Sequence, residues 1–277
     1  MTINIKGKLV DLTNPLVMGI VNITPDSFYE GSRTSKLDDT IDRIEKLISE
    51  GANIIDIGAM STKPNCENIS EDEEWQRLLP VLKIIKNKYS DTIFSIDSFR
   101  ANIVKRAVLD YGIDIINDIS GASFDEAMFE TVAECKCPYI LSHIQGTNLT
   151  MHNETSYSDF LNDILYYFSE KINILKNLGV CDIIIDPGIG FSKTVEHNFS
   201  LLKNLDKLSI FERPILVGLS RKTMIWKTLN ISPSESLNGT TVLHTYALMK
   251  KANILRVHDV KEAVESVKLF SELEKAK

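Results

Sequence analysis

The chain has 277 residues, of which 43% are hydrophobic and 25% charged, and its formal net charge is −7 at pH 7. This charge argues against nucleic acid or an anionic membrane surface as the main partner, but it leaves room for a locally basic site that binds a small anion. The first residues carry no signal-peptide pattern and no apolar run is long enough to span a bilayer, so we expect a cytoplasmic protein without a membrane partner.

Eight apolar, β-branched runs recur along the chain. They begin at Val17, Asn53, Thr92, Ile113, Tyr139, Asp182, Pro214 and Asn253. The runs are continuous rather than alternating, which is typical of parallel strands that are buried on both faces.

Between these runs, apolar residues recur with the periodicity of a helix. Leu37, Ile41, Ile44 and Ile48 share one face, and further helices are predicted over 75–85, 103–108, 160–178, 199–205, 237–250 and 260–273. This alternation predicts an α/β fold, a (β/α)8 TIM barrel formed by residues 1–277 as a single domain. An open doubly wound sheet is the alternative, but the first run is followed by PDSFYEG and not by a glycine-rich phosphate loop.

Every predicted strand ends in a hydrogen-bonding or charged side chain. In chain order these are Asn22, Asp56, Asp97, Asn117 with Asp118, His143 with Gln145, Asp186, Ser220 with Arg221 and Lys222, and Arg256 with His258 and Asp259. Because active sites of such barrels lie at the carboxyl ends of the strands, these side chains predict a mouth for a ligand with a polar heterocycle and an anionic group.

The types of these residues suit a 2-amino-4-oxo pyrimidine ring. A carboxylate such as Asp186 can accept two parallel N–H bonds from the amidine-like edge of that ring. Asn117 can donate and accept at once, and Lys222 offers a donor for a ring carbonyl. Arg256 can lie flat against a π-system and still face an anion.

Six motifs, in the same order along the chain, resemble those of the dihydropteroate synthase family. They are MGIVNITPDSF at 18–28, SID at 95–97, IINDI at 115–119, DPGIGFSKT at 186–194, LVGLSRK at 216–222 and RVHD at 256–259. The resemblance covers about residues 16–265. It implies that the chain folds as a barrel and forms a homodimer. It also implies that the protein is a transferase and a target of sulfonamides. That enzyme joins 6-hydroxymethyl-7,8-dihydropterin diphosphate to p-aminobenzoate in folate biosynthesis, giving 7,8-dihydropteroate and diphosphate.

The resemblance also assigns roles to matching positions. The pterin would contact Asp97, Asn117, Asp186, Lys222 and Arg256, and the catalytic residues would be Lys222, Asp97 and Arg256. The diphosphate would lie near Asn22, Lys63, Arg256 and His258, with Mg²⁺ as the cofactor and Asn22 as its ligand. The p-aminobenzoate would lie among Phe28, Thr62, Pro64, Phe191 and Ser220.

The chemistry of the reaction agrees with these residue types. Loss of diphosphate leaves a resonance-stabilised cation, so the protein needs charge stabilisation rather than a strong base. Mg²⁺, Arg256 and His258 would hold the departing anion, and Asp97 and Asp186 would favour the cationic pterin. The arylamine is neutral at pH 7 and needs only to be positioned while water is excluded.

The loop after the second strand departs from the family pattern. It reads GAMSTKPN, with Ala59, Lys63 and Asn65 where the family usually has glycine, arginine and glycine. Lysine keeps the positive charge of arginine but loses its bidentate fork. A weaker contact with the leaving group and an altered sulfonamide sensitivity are therefore hypotheses for this loop.

The sequence leaves three other functions open. A pterin-binding methyltransferase domain would share the barrel but need no diphosphate site, and the TPDSF and SRK motifs disfavour it. A non-catalytic pterin-binding paralogue would bind the pterin without turnover. A sugar-phosphate barrel enzyme would not bind the pterin at all.

Overall fold

The computed structural model describes residues 1–23, 33–60, 69–147, 150 and 154–276. A short antiparallel hairpin comes first, formed by β1 (Thr2–Ile5) and β2 (Lys8–Asp11). Eight parallel strands follow and form one sheet: β3 (Leu16–Asn22), β4 (Ile54–Gly58), β5 (Ile93–Asp97), β6 (Ile115–Asp118), β7 (Tyr139–Ser142), β8 (Ile183–Asp186), β9 (Leu216–Val217) and β10 (Ile254–Val257).

The sheet closes on itself as a barrel. Hydrogen-bonded neighbours run in the order β8-β7-β6-β5-β4-β3-β10-β9. The last gap is closed by a parallel bridge between Ile185 and Ile215, beside a 2.8 Å bond from the Ile185 amide to the Pro214 carbonyl. All eight predicted strands and the (β/α)8 barrel are thus confirmed, and the doubly wound alternative is wrong. The interpretation of residues 1–277 as a single domain stays a prediction.

Helices cover the outside of the barrel. They are α1 (Arg33–Ser49), α2 (Glu71–Lys88), α3 (Ala101–Tyr111), α4 (Met128–Cys135), α5 (Phe160–Asn177), α6 (Val195–Lys203), α7 (Thr223–Leu229), α8 (Leu237–Met249) and α9 (Val260–Lys275). None of the described helices is long and apolar enough to cross a bilayer.

Two differences from the predicted helices have local causes. Helix α6 begins at Val195, earlier than predicted, because the Thr194 hydroxyl accepts a 3.1 Å bond from the His197 amide and caps the helix. Helices α4 and α7 lie outside the predicted ranges, since their eight and seven residues span too few turns for a clear periodicity.

The apolar strands are buried on two sides, as their continuous pattern predicted. All five residues of β4 are buried. Residues such as Ile55 and Ile57 face the helices, whereas Ile54 lies in a separate cluster with Met18, Ile115, Ile140, Ile184, Leu216 and Ile254 at the N-terminal half of the barrel.

The β1–β2 hairpin, which the sequence did not predict, packs onto this N-terminal half. Strand β1 alternates exposed and buried residues, so Ile3 and Ile5 join the cluster together with Leu12. The Asn4 amide also donates to a carboxylate oxygen of Asp182 at 2.9 Å. The hairpin therefore closes the N-terminal end of the barrel and leaves the opposite end for the polar side chains.

We expect Ile5→Ala to lower the free energy of unfolding by about 2–5 kcal/mol, because truncation leaves a cavity in a buried cluster. Leu9→Ala in the same hairpin is the control, since Leu9 is 76% exposed. Its truncation should change the free energy of unfolding by no more than about 0.5 kcal/mol. Urea denaturation measures both. Equal stabilities of the two variants would contradict the role assigned to the hairpin.

Candidate active site

The predicted polar ring forms at the carboxyl ends of the strands. The register of the sheet pairs Asn22 with Gly58, Gly58 with Asp97, and Asp97 with Asn117. Parallel strands in register end at the same level, so residues far apart in the chain become neighbours across one mouth.

Arg256 lies between two carboxylates at the centre of this mouth. Its Nε donates to Asp56 Oδ2 at 2.7 Å and its Nη2 donates to Asp97 Oδ2 at 2.5 Å. The same Asp56 oxygen accepts a 3.0 Å bond from Asn117 Nδ2. Burial opposes the charge of Arg256, but Asp56 and Asp97 raise its pKa above the ordinary value. The guanidinium is thus a fixed cation that ties β10 to β4 and β5.

The two carboxylates beside Arg256 differ in their remaining bonding capacity. Asp56 is fully buried, and its Oδ1 has no hydrogen-bond partner among the described residues. Burial raises the pKa of Asp97 to about 7, although Arg256 lowers it. A cationic ligand near Asp97 would therefore favour the ionised carboxylate.

The tip of β8 presents Asp186 to the mouth. Its Oδ1 accepts a 2.8 Å bond from the Gly188 amide, and the contact of its Oδ2 within the described part of the chain is with the Ser142 hydroxyl at 3.5 Å. Burial raises the pKa of Asp186, while the Gly188 amide and the charge of Lys222 lower it. Most of the acceptor capacity of Oδ2 is therefore available to a ligand.

The glycine after Pro187 is needed for this geometry. Gly188 has φ 68°, and a Cβ at this position would lie 2.0 Å from the backbone carbonyl oxygen of His143. No other residue type combines this left-handed conformation with so close an approach of two backbones. The turn after Asp186 is thereby packed directly against the end of β7.

Lys222 lies after the neighbouring strand β9 and reaches toward the same turn. Its Nζ donates to the Ile189 carbonyl at 2.7 Å and lies 4.2 Å from the centre of the Phe191 ring. Burial lowers the pKa of Lys222 to about 8, against the opposing effect of Asp186. The amine is thus still mainly protonated at pH 7, and it brings Phe191 and Asp186 into one wall of the site.

Ser220 and His258 form a further polar pair. The Ser220 hydroxyl lies 3.1 Å from His258 Nδ1 and 3.2 Å from the His258 amide. Burial and the charge of Arg256 lower the pKa of His258 to about 4. His258 is therefore neutral at pH 7 and can offer an N–H group to an anion but not a positive charge.

Several residues of the predicted ring have protein partners instead of facing the mouth. Asp118 accepts bonds of 2.7–2.8 Å from Ser120, Ala122 and the Tyr139 hydroxyl. Its carboxylate thus shapes the turn after β6. Position in the sequence alone did not distinguish it from Asn117, which does face the network around Arg256.

Arg221 and Asp259 pair with each other. Arg221 Nε and Nη2 donate to the two carboxylate oxygens of Asp259, both at 2.9 Å. Arg221 has φ 56° and its amide donates to the Thr240 hydroxyl at 3.1 Å. This bidentate pair joins the turn that carries Lys222 to the turn that follows His258.

Not every predicted site residue can be placed. Phe28, Thr62, Lys63, Pro64 and the altered Asn65 lie outside the described residues. Asn22 is exposed at the end of β3, and Phe191 is half-buried beside the apolar cluster of Phe99, Ile119 and Ile144. The roles predicted for these residues stay predictions.

The structure pairs two buried residues, Lys193 and His143, for which the motifs predicted no specific role. Lys193 and His143 are 8% and 3% exposed, and Lys193 Nζ lies 3.0 Å from His143 Nδ1. A lysine inside the otherwise small and apolar stretch GIGFSKT was the available signal. Within the described part of the chain, no group of three or more histidines, cysteines and acidic residues could hold a metal ion.

Comparisons with known proteins agree with this geometry. A family model described as pterin binding enzyme matches residues 18–258. The dihydropteroate synthase of Escherichia coli K12 is 40% identical over 266 residues, which cover 95% of this chain and 93% of that protein. The corresponding enzyme of a Synechocystis strain is 40% identical over 260 residues, covering 93% and 89% of the two chains.

Solved structures are similar over the whole chain. A Yersinia pestis dihydropteroate synthase in complex with a sulfonamide drug superimposes with a TM-score of 0.92 at 36% identity, covering 100% of both chains. The Xanthomonas albilineans enzyme with 4-aminobenzoic acid gives a TM-score of 0.90 at 30% identity, covering 100% of this chain and 99% of that one. The motifs, the barrel and these relatives together show that the chain belongs to the dihydropteroate synthases, the pterin-binding transferases of folate synthesis.

Proposed function

We propose that the dihydropterin diphosphate binds across the mouth with its ring edge on Asp186 and its leaving group beside Arg256. The observation that carries this proposal is the placement of Arg256 between Asp56 and Asp97, next to Asn117 and on the same barrel mouth as Asp186. One mouth thereby offers carboxylates to a ring and a fixed cation to an anion.

The ring would be recognised by three side chains. Asp186 Oδ2 is free to accept N–H bonds from the amidine-like edge. Asn117 uses its Nδ2 on Asp56, which fixes the amide and leaves its oxygen as an acceptor. Lys222 holds Ile189 with one N–H and has further donors for a ring carbonyl.

The catalytic roles of Asp97, Lys222 and Arg256 follow from the charges of the reaction. The bond between the exocyclic carbon and the diphosphate oxygen breaks, and the electron pair leaves with the diphosphate. The nitrogen of p-aminobenzoate then donates its lone pair to that carbon and loses one proton to water. Ionised Asp97 and Asp186 stabilise the cationic pterin, while Lys222 and Arg256 orient the ring in a preformed, partly dry site.

The diphosphate leaving group would be bound by donors that other side chains hold in place. Arg256 uses Nε and Nη2 on Asp56 and Asp97, so its Nη1 remains as a donor toward the diphosphate. His258 is neutral, and with Nδ1 facing Ser220 its Nε2–H can donate to the same anion. Lys63, which lies outside the described residues, is proposed as an additional cation for the diphosphate.

The residues present fit a Mg²⁺ ion that arrives with the substrate. Mg²⁺ in such sites keeps several waters and takes one or two protein oxygens besides the substrate phosphates. Asn22 is exposed at the end of β3, beside the strand that ends near Asp97, and its amide oxygen can serve as such a ligand. When bound, the ion would neutralise charge on the departing diphosphate.

The p-aminobenzoate would lie next to Lys222, flanked by Phe191 and Ser220. The structure of the Xanthomonas relative with 4-aminobenzoic acid and that of the Yersinia relative with a sulfonamide support a small aromatic ligand for this chain. Phe28, Thr62 and Pro64 complete the proposed subsite from outside the described residues.

We also propose a homodimer, formed through the outer faces of α8 and α9. These two helices pack against each other and expose large apolar side chains, namely Val242, Met249, Leu269 and Leu273. Exposed apolar residues on neighbouring helices are typical of an interface. A cytoplasmic location stays a prediction.

We expect Asp186→Asn to lower kcat/KM by at least about 100-fold, because the amide cannot accept two N–H bonds from the ring and carries no charge. Asp182→Asn is the matched control, since Asp182 flanks the same strand at its other end and its carboxylate accepts a bond from the Asn4 amide, away from the mouth. The assay follows diphosphate and dihydropteroate formation with and without p-aminobenzoate. Pterin binding without product in the unaltered protein would indicate the non-catalytic paralogue.

We expect activity to be lost on chelation of Mg²⁺ and restored on its addition. Asn22→Ala should raise the Mg²⁺ concentration for half-maximal activity by about 10-fold, because the protein then offers one oxygen ligand fewer. Asn87→Ala on the exposed surface of α2 is the control, since Asn87 donates to the Lys83 carbonyl of its own helix and lies away from the mouth. An unchanged Mg²⁺ requirement in Asn22→Ala would remove Asn22 from the ion's ligands.

We expect the protein to sediment as a dimer and Met249→Glu to shift it toward the monomer at micromolar concentration, because the substitution places an unpaired charge in the apolar face. Leu109→Glu on α3 is the control, since Leu109 is similarly apolar and exposed but lies on another helix. Analytical ultracentrifugation measures both variants. A monomeric unaltered protein, or a dimer that Met249→Glu leaves intact, would contradict this interface.

A further inference from the structure

Lys193 carries a buried amine whose partners among the described residues are all carbonyl or ring acceptors, and burial lowers its pKa to about 7. Its Nζ lies 3.0 Å from the Gly188 carbonyl, 3.0 Å from the Phe191 carbonyl and 3.0 Å from His143 Nδ1. It forms no ion pair with any described carboxylate. A protonated amine has three N–H donors, so these three acceptors satisfy it completely.

His143 is suited to be the third acceptor. It lies just beyond the end of β7, where its amide donates to the Asp186 carbonyl at 3.0 Å and its ring stands edge-on to Tyr167 at 4.8 Å. Burial, and then the charge of Lys193, lower its pKa well below the ordinary value. The ring is therefore neutral, and its Nδ1 can accept from Lys193.

The two carbonyls that Lys193 holds lie at the two ends of one tight turn. The Gly188 carbonyl also accepts a 3.1 Å bond from the Phe191 amide, which closes the turn. Lys193 thus holds the backbone of residues 188–191 at both ends of the turn. Without its amine, the carbonyls of Gly188 and Phe191 would each lose a donor that the turn could replace only by changing shape.

Three residues of this turn contact a group of the proposed pterin site. The Gly188 amide donates to Asp186, the Ile189 carbonyl accepts from Lys222, and the Phe191 ring lies under the Lys222 amine. Gly190 leaves almost no spare room, since a Cβ there would lie 2.7 Å from Lys222 Cδ. A small shift of the turn would therefore displace both Asp186 and Lys222.

We propose that Lys193, braced by His143, is a positioning residue that sets the affinity for the dihydropterin by holding the turn between Asp186 and Phe191. Lys193 acts through Asp186 and Lys222 and does not itself touch the ring. The inference rests on the proposed placement of the pterin beside Asp186. It explains why a lysine is buried where its chain neighbours are small or apolar.

The test uses Lys193→Met in the full chain, because methionine has a similar length and no donor. The matched control is Lys6→Met, since Lys6 also donates to two backbone carbonyls, of Ser90 and Thr92, and pairs with Asp114 at the other end of the barrel. Binding of 6-hydroxymethyl-7,8-dihydropterin diphosphate with Mg²⁺ is titrated calorimetrically, and the melting temperature and steady-state constants are measured in parallel.

We expect Lys193→Met to weaken pterin binding by at least about 10-fold. Its KM for the pterin diphosphate should rise by a larger factor than kcat falls, while Lys6→Met keeps the affinity of the unaltered protein. A folded Lys193→Met variant with unchanged pterin affinity would overturn the proposal. Absence of pterin binding by the unaltered protein would overturn the placement of the pterin itself and the inference with it.

A second pair of variants serves if Lys193→Met does not fold. His143→Asn keeps an acceptor near the position of Nδ1, whereas His143→Leu removes it. We expect the asparagine variant to bind the pterin diphosphate several-fold more tightly than the leucine variant at comparable melting temperatures. Equal affinities of the two variants would contradict the role of the Lys193–His143 contact.

Discussion

The mouth of the barrel depends on one buried cation between two carboxylates. Arg256 bonds to Asp56 and Asp97, and Asp56 bonds in turn to Asn117, so that four strands are tied together at the level where the ligand binds. Breaking such a pair from one side leaves an uncompensated charge in a poorly solvated place, which is far more costly than losing a surface pair. The network therefore keeps its geometry before any ligand arrives, as a site that stabilises developing charge requires.

The N-terminal end of the barrel contributes to stability, and the opposite end carries the proposed site. The β1–β2 hairpin seals the N-terminal end with Ile3, Ile5 and Leu12, where an apolar cluster can form without polar interruption. At the other end, charges are held by partners from different strands and turns. Burial leaves Asp97 with a pKa of about 7 and Lys222 with a pKa of about 8, so both groups respond to the charge of a ligand at neutral pH.

The sequence predicted the ring of strand-end residues, but only part of it faces the ligand. Asp118 follows Asn117 directly and yet points to its own turn, because successive strand residues alternate between the two faces of the sheet. Arg221 precedes Lys222 and pairs with Asp259 instead of the mouth. Lys193 was left without a role, since nothing local indicates that its amine folds back onto Gly188 and His143.

The sequence by itself determined the eight strands, most of the helices and the family, because continuous apolar runs, helical periodicity and fixed motifs are properties of short stretches. The tertiary structure alone decided which polar groups meet and in which protonation state. Arg256 and Asp56 are 200 residues apart in the chain, and their contact exists only because the barrel closes. Burial and charge partners of this kind come from the whole fold, which no local pattern encodes.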